Sequence, residues 1–204
     1  VLDFGAGWRK LLSSVSIPQE RKFLYSLYAG AARPLIWNPL EIGPRVDPEE
    51  QLYATVNLLA NAGRMGERQI GFMREALREL YTNYGVIPEP GKGDRDWTVV
   101  QEDEVAVLGG GVSAGTPLQS LSWEDRATLS RHRSRRVTMR EWYRLLDRRM
   151  QEIPDRNQTD RTAIQGVLLR LEPLAVGKLS NMYNPAPDAP RIVVEDLAYP
   201  SGLP

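Results

Sequence analysis

The sequence predicts a mainly α protein, a four-helix-type bundle with short strands at its two ends, and three observations carry that expectation. Four segments repeat their apolar residues at intervals of three and four, the spacing that gathers side chains on one face of a helix. Each of the four begins or ends on a residue suited to a helix terminus. The apolar share, 42% of 204 residues, supplies a buried core and excludes a disordered chain.

The elements follow in chain order. Val1-Leu2-Asp3-Phe4-Gly5 reads as the end of a strand followed by a glycine turn. Pro34-Leu35-Ile36-Trp37 is a second candidate strand, closed by Asn38-Pro39. Between them Phe23, Leu24 and Leu27 have helical spacing, and the state of that segment stays open. The first principal helix opens at Asp47-Pro48-Glu49-Glu50, a capping carboxylate followed by proline at the first helical position. Its stripe is Leu52, Val56 and Leu59, and Gly63 is expected to end it. The second runs from Glu67 to Tyr84 along Ile70, Met73, Leu77, Leu80, Tyr81 and Tyr84, with Gly85 as its stop. The third starts at the capping box Thr138-x-x-Glu141 and shows Met139, Trp142, Leu146, Met150 and Ile153. The fourth follows Thr159-Asp160, shows Ile164, Val167, Leu168 and Leu171, and stops near Gly177.

Residues 88–136 have another character and read as an irregular insertion between the second and third helices. They hold a possible strand Trp97-Thr98-Val99-Val100, the acid run Glu102-Asp103-Glu104, three consecutive glycines from Gly109, and one short helix from Trp123 to Ser130. A last candidate strand, Arg191 to Leu197, follows a proline-spaced link.

Composition removes several kinds of chemistry. The 26 basic residues balance the 26 acidic ones, so no global field draws the chain to nucleic acid or membrane. Zero cysteines remove disulfides and thiolate sites, and His132 is the sole histidine. No apolar run reaches the ~18 residues of a membrane span, and no signal segment opens the chain, which makes a cytoplasmic location the expectation. The start at Val1 and the stop at Pro204 make the chain read as a piece of something longer.

The chemical signals are few. Gly109-Gly110-Gly111 lacks the lysine and hydroxyl of a phosphate loop, since none of Lys10, Lys22, Lys92 and Lys178 stands after a glycine and before Ser or Thr. That stretch reads as a mobile loop, and no cofactor site is expected in this chain. Glu102-Asp103-Glu104 cannot all point at one metal ion and reads as a solvated run. From Arg126 to Arg149 there are nine arginines against Glu141 and Asp147. Such an excess suits either a phosphate backbone or acidic partner, or a plain surface whose arginines pair with carboxylates elsewhere. Within it Arg131, His132, Arg133, Arg135 and Arg136, with Arg140 just beyond, are the candidate contacts, and the run before the capping box is expected to be an accessible loop. Trp123 could stack on bases, whereas Trp142 belongs to a core stripe. No catalytic residues can be assembled from this set.

The order of the pieces resembles the HerA/FtsK group of P-loop ATPases, which includes the type IV secretion and conjugation ATPases. Val1-Leu2-Asp3-Phe4-Gly5-x-Gly7-Trp8-Arg9 is similar to the strand after their nucleotide loop. Trp37-Asn38-Pro39-Leu40 and Val46 to Glu50 look like the start of their inserted all-helical domain, as do Gly66-Glu67-Arg68 and Met73 to Leu77. Thr138-Met139-Arg140-Glu141-Trp142 and Leu168 to Leu174 resemble its later helices, and Val193 to Leu197 its return to the sheet. The resemblance implies a core segment at 1–46, an all-helical insertion at 47–183 and a returning linker and strand at 184–204. The terminal strands would then be remnants of a RecA-like α/β sheet. It further implies a module that engages substrate or partner inside a hexameric translocase of DNA or protein. Its partners would be the rest of the ATPase, its hexamer neighbours, and DNA or secretion and processing proteins. ATP and magnesium belong to the parent, with Asp3 near the nucleotide there; the chain alone lacks the nucleotide loop and the second acidic motif. The rival reading is a stand-alone helical adaptor that binds nucleic acid or an acidic protein through the arginine-rich segment.

Overall fold

The computed structural model describes residues 36–43, 46–87, 100–109 and 111–186. They belong to the second of two units into which the chain divides, residues 1–35 and 36–204. The candidate strands at Val1–Phe4 and Arg191–Leu197, and Asp3 with them, lie outside the described residues, as do Pro34 and Leu35 and all of Trp97–Val100 except Val100. Among the described residues there is no strand, and the architecture is mainly helical.

Among the described residues seven helices follow one another: α1 (Pro48–Gly63), α2 (Glu67–Asn83), α3 (Glu102–Leu108), α4 (Trp123–Ser134), α5 (Met139–Glu152), α6 (Gln158–Ala175) and α7 (Ser180–Tyr183). A 3-10 turn, Leu118–Ser120, precedes α4. The four helices expected from periodicity are α1, α2, α5 and α6. Asp47 caps α1 by accepting the Glu49 and Glu50 N–H groups at 2.9 and 3.2 Å. Thr138 and Glu141 close the capping box of α5, each side chain accepting the other's backbone N–H at 3.3 and 3.1 Å. At α2, Gly66 has no side chain to give, and only the return bond forms, from its N–H to Gln69 Oε1 at 3.0 Å. Gly85, at φ +66°, is the left-handed stop after α2.

The fourth helix stops near Gly177 as expected but starts earlier, at Gln158 with Asn157 as its cap, and the end of α1 differs from expectation. The left-handed residue after α1 is Arg64, at φ +50°, and Gly63 is the last helical residue. The reason is tertiary. A β-carbon on Gly63 would stand 2.8 Å from Met65 Cε and 2.9 Å from Arg170 Cδ, because Arg170 Nε donates to the Gly63 carbonyl at 2.6 Å. The glycine admits α6, and the arginine adopts the turn. At the far end of α6, Gly177 approaches the backbone so closely that a β-carbon would lie 2.8 Å from Pro173 Cα.

The main core gathers the apolar stripes of α1, α2, α5 and α6. Trp142 is fully buried, with its indole N–H donating to the Met73 carbonyl at 3.2 Å. Tyr81 is also fully buried and donates to the Leu40 carbonyl at 2.7 Å, and burial pushes its phenol up. Leu40 and Ile42 lie in this same core, so the segment before α1 is part of the helical unit. Inverted stripes would expose these side chains at roughly 1.5–3 kcal/mol each.

The stretch from 100 to 134 is more ordered than an irregular insertion. It builds a second, small core from Val100, Leu118, Leu121 and Leu129, with Val105, Leu108 and Val112 against it. The short helix expected from Trp123 runs to Ser134. No helix among the described residues is long and apolar enough to cross a membrane.

Candidate functional site

The arginine-rich segment lies at the corner where α4 ends and α5 begins. Residues 131–134 form the last turn of α4, so the expected accessible loop shrinks to residues 135–138. Ser122 starts this helix by accepting the Asp125 N–H at 3.1 Å, and Glu124 and Asp125 favour its positive end while Arg131 and Arg133 favour its negative end.

Arg133 is turned inward. Only 5% of its side chain is exposed, and it faces Glu104, 2% exposed, in a two-pronged pair: Nε to Oε1 at 2.7 Å and Nη2 to Oε2 at 2.8 Å. Its Nη1 donates to the Gly85 carbonyl at 3.1 Å. One guanidinium thus joins the end of α2, the start of α3 and the end of α4. The acid run is therefore not wholly solvated. Burial pushes the Glu104 carboxyl up, but the bonds from Arg133 and from the Gln101 N–H, with the guanidinium charge, hold it below its ordinary value.

The neighbours are engaged as well. Arg136 pairs with Asp103, and Arg135 Nε donates to Glu41 Oε1 at 3.0 Å. Arg149, further along α5, pairs with Glu79 and stands 3.6 Å from Glu75. Four of the nine arginines counted along the chain thus meet carboxylates from other elements. His132 is half-buried; its burial and then the charge of Arg136 push its pKa below the usual value, with Glu104 opposing. Arg140 is drawn to the end of α6, its N–H donating to Asn184 Oδ1 at 2.6 Å and its Nε to the Ala175 carbonyl at 3.4 Å. That leaves Arg131, half-buried, with Arg126 on α4 and Arg144 and Arg148 on α5 exposed, and among the described residues none of the four has a carboxylate within ion-pair range. Glu104 was the partner that sequence order hid, although the spacing Gln101-x-x-Glu104 does signal a helix start.

The other candidates separate clearly. Trp123 is 59% exposed, and Trp142 sits in the core as its stripe implied. At the end of the glycine stretch the Gly115 N–H donates to the Val100 carbonyl at 2.9 Å and the Val100 N–H to the Thr116 carbonyl at 3.0 Å. Those bonds tie the loop to its own chain, and no lysine stands in it. A shallow depression of about 580 Å³ lies between the first turns of α2 and α6, lined by Gly66, Arg68, Gln69, Gln158, Thr159 and Thr162, with Arg68 bound to Asp160 at 2.6 Å on its rim.

The two ends of the described chain meet. The Trp37 N–H donates to the Met182 carbonyl at 2.8 Å, and the Trp37 and Tyr183 rings meet edge to face with centroids 6.1 Å apart. The incoming and outgoing segments therefore run side by side at the foot of the bundle. No family model, no curated protein and no solved structure matches this chain.

Proposed function

We propose that the chain supplies the helical, substrate- or partner-engaging module of an ATP-driven translocase of DNA or protein, without being a complete ATPase itself. The observation that carries this reading is the closure of the unit on itself, with Trp37 bonded to Met182. A helical unit whose two ends lie side by side can stand inside a host fold without disturbing it, which is the geometry that inserted domains use. The order of motifs resembling the HerA/FtsK insertion supports the same reading. In it ATP and magnesium belong to the host, and Asp3 lies toward the nucleotide.

The extent of the native polypeptide tests the proposal. Protein isolated from its own cells is expected to carry G-x-x-x-x-G-K-[ST] upstream of Val1 and an apolar strand ending in Asp-Glu beyond Pro204. Native ends at or near those two residues would refute it. A second reading, a stand-alone adaptor for nucleic acid or an acidic protein, is favoured by Arg131, Arg144 and Arg148, which meet no carboxylate among the described residues. Its test is the binding of the 204-residue chain to labelled duplex DNA and to polyglutamate. Salt-sensitive binding that weakens in the triple alanine variant supports it; binding unchanged by those three substitutions removes it.

A further inference from the structure

The foot of the bundle holds two asparagines that do matching work. Asn38, 2% exposed, stands on the incoming segment; its Nδ2 donates to the Val137 carbonyl at 2.8 Å and its Oδ1 accepts the Leu40 N–H at 3.1 Å. Asn184 stands on the outgoing segment. Its Oδ1 accepts the Arg140 N–H at 2.6 Å, and its Nδ2 donates to the carbonyls of Leu174, Ser180 and, more weakly, Ala175 at 2.9, 2.8 and 3.4 Å.

These bonds fall where backbone groups need partners. The Arg140 N–H belongs to the first turn of α5 and has no intrahelical acceptor; Leu174 and Ala175 end α6 and have no intrahelical donor. One side chain thus caps the positive end of α5 and the negative end of α6 together. Asn38 reaches the residue just before the same α5 cap, Thr138. Both segments are in this way fastened to a stretch of four residues, Val137 to Arg140, and to each other through Trp37 and Met182.

We propose that Asn38 and Asn184 form a single latch that fastens the incoming and outgoing segments jointly to the first turn of α5. Neither segment leaves alone. Freeing one removes the backbone bond and the ring contact that hold the other, so the foot opens as one unit while the helical core stays closed. The start of α5, which also carries the arginine corner, is then where any displacement of the flanking chain is delivered to the bundle. The latch goes beyond the translocase reading and stands on contacts within residues 37–184 alone, so either can fail without the other.

The test is amide hydrogen exchange by NMR on the 204-residue chain, comparing the parent with Asn184→Ala, Asn38→Ser and the double variant. In Asn184→Ala the Arg140 amide loses its acceptor directly, while the Trp37 acceptor, Met182, is untouched. The latch requires both amides to exchange about tenfold faster, the equivalent of one net side-chain hydrogen bond. Core amides such as Leu77 and Leu168 are expected to stay within about twofold. The double variant should add little to either single one, because one opening already frees the foot. Faster exchange at Arg140 with Trp37 unchanged would overturn the latch. So would effects that multiply in the double variant, or core amides that rise in step with those of the foot. Should Asn38→Ser fail to fold, the Trp37 amide in Asn184→Ala decides by itself.

Discussion

Replacing Glu104 with glutamine tests the reading of the arginine corner as an internal brace. The substitution keeps the size of the side chain, removes its charge, and turns an amide NH₂ toward a guanidinium that is only 5% exposed. One of the two short bonds is lost and the buried Arg133 faces a neutral amide in place of the Glu104 carboxylate. Breaking a buried pair from one side costs about 3–5 kcal/mol, far more than the 0–1 kcal/mol of a surface pair. In a unit spanning residues 36–204 each kcal/mol moves the melting temperature by roughly 2–4 °C, so Glu104→Gln should melt about 6–20 °C lower. Circular dichroism against temperature, with urea unfolding as a second measure, reads this directly. The double variant Glu104→Leu with Arg133→Met is the control. It removes both charges and is expected to return to within about 1 kcal/mol of the parent or above it. A loss below about 1 kcal/mol in Glu104→Gln would refute the reasoning, because the pair would then be behaving as a solvated surface contact.

Two further predictions follow from single residues. Arg64 holds φ +50° and is exposed, so Arg64→Gly should raise stability by about 0.5–1 kcal/mol in urea unfolding, whereas a loss would show that its stem packs on the helix end. Acid should act in two steps. His132 and Glu104 both have folded-state pKa values below their ordinary ones, so each holds its full stabilisation above its unfolded value and loses it as pH falls toward the folded one. Stability is therefore expected to decline first below about 6.5 and again below about 4.3. In unfolding measured across pH, His132→Gln should erase the upper step and Glu104→Gln the lower; a profile flat down to pH 4 would contradict the first assignment.

Local information was enough for the four long helices, because their signals lie within a turn or two of the residues that answer them. Asp47 finds the N–H groups of the next two or three residues, and Thr138 finds Glu141 one turn on. The stripe through Leu52 and Val56, or through Met73, Leu77 and Leu80, states which face must be covered whatever covers it. The arginine-rich corner was visible in the same way, as a count along the chain, and so was the choice it left between a phosphate partner and internal pairing.

What the tertiary structure alone decided are the matters of who meets whom at long range. Glu104 lies 29 residues from Arg133, Glu41 lies 94 from Arg135, and no periodicity names such partners. Gly63 looked like a helix stop until Arg170, 107 residues away, needed the space beside it. The small core under α3 and α4 is built from residues too short in run to show a period of their own. The joining of Trp37 to Met182, with an asparagine on each segment, depends on where α5 begins in space. Helix ends and stripes are set by hydrogen bonds and burial within a few residues, whereas charge balance, close backbone approach and closure of the foot are set by distances that exist only once the helices have packed.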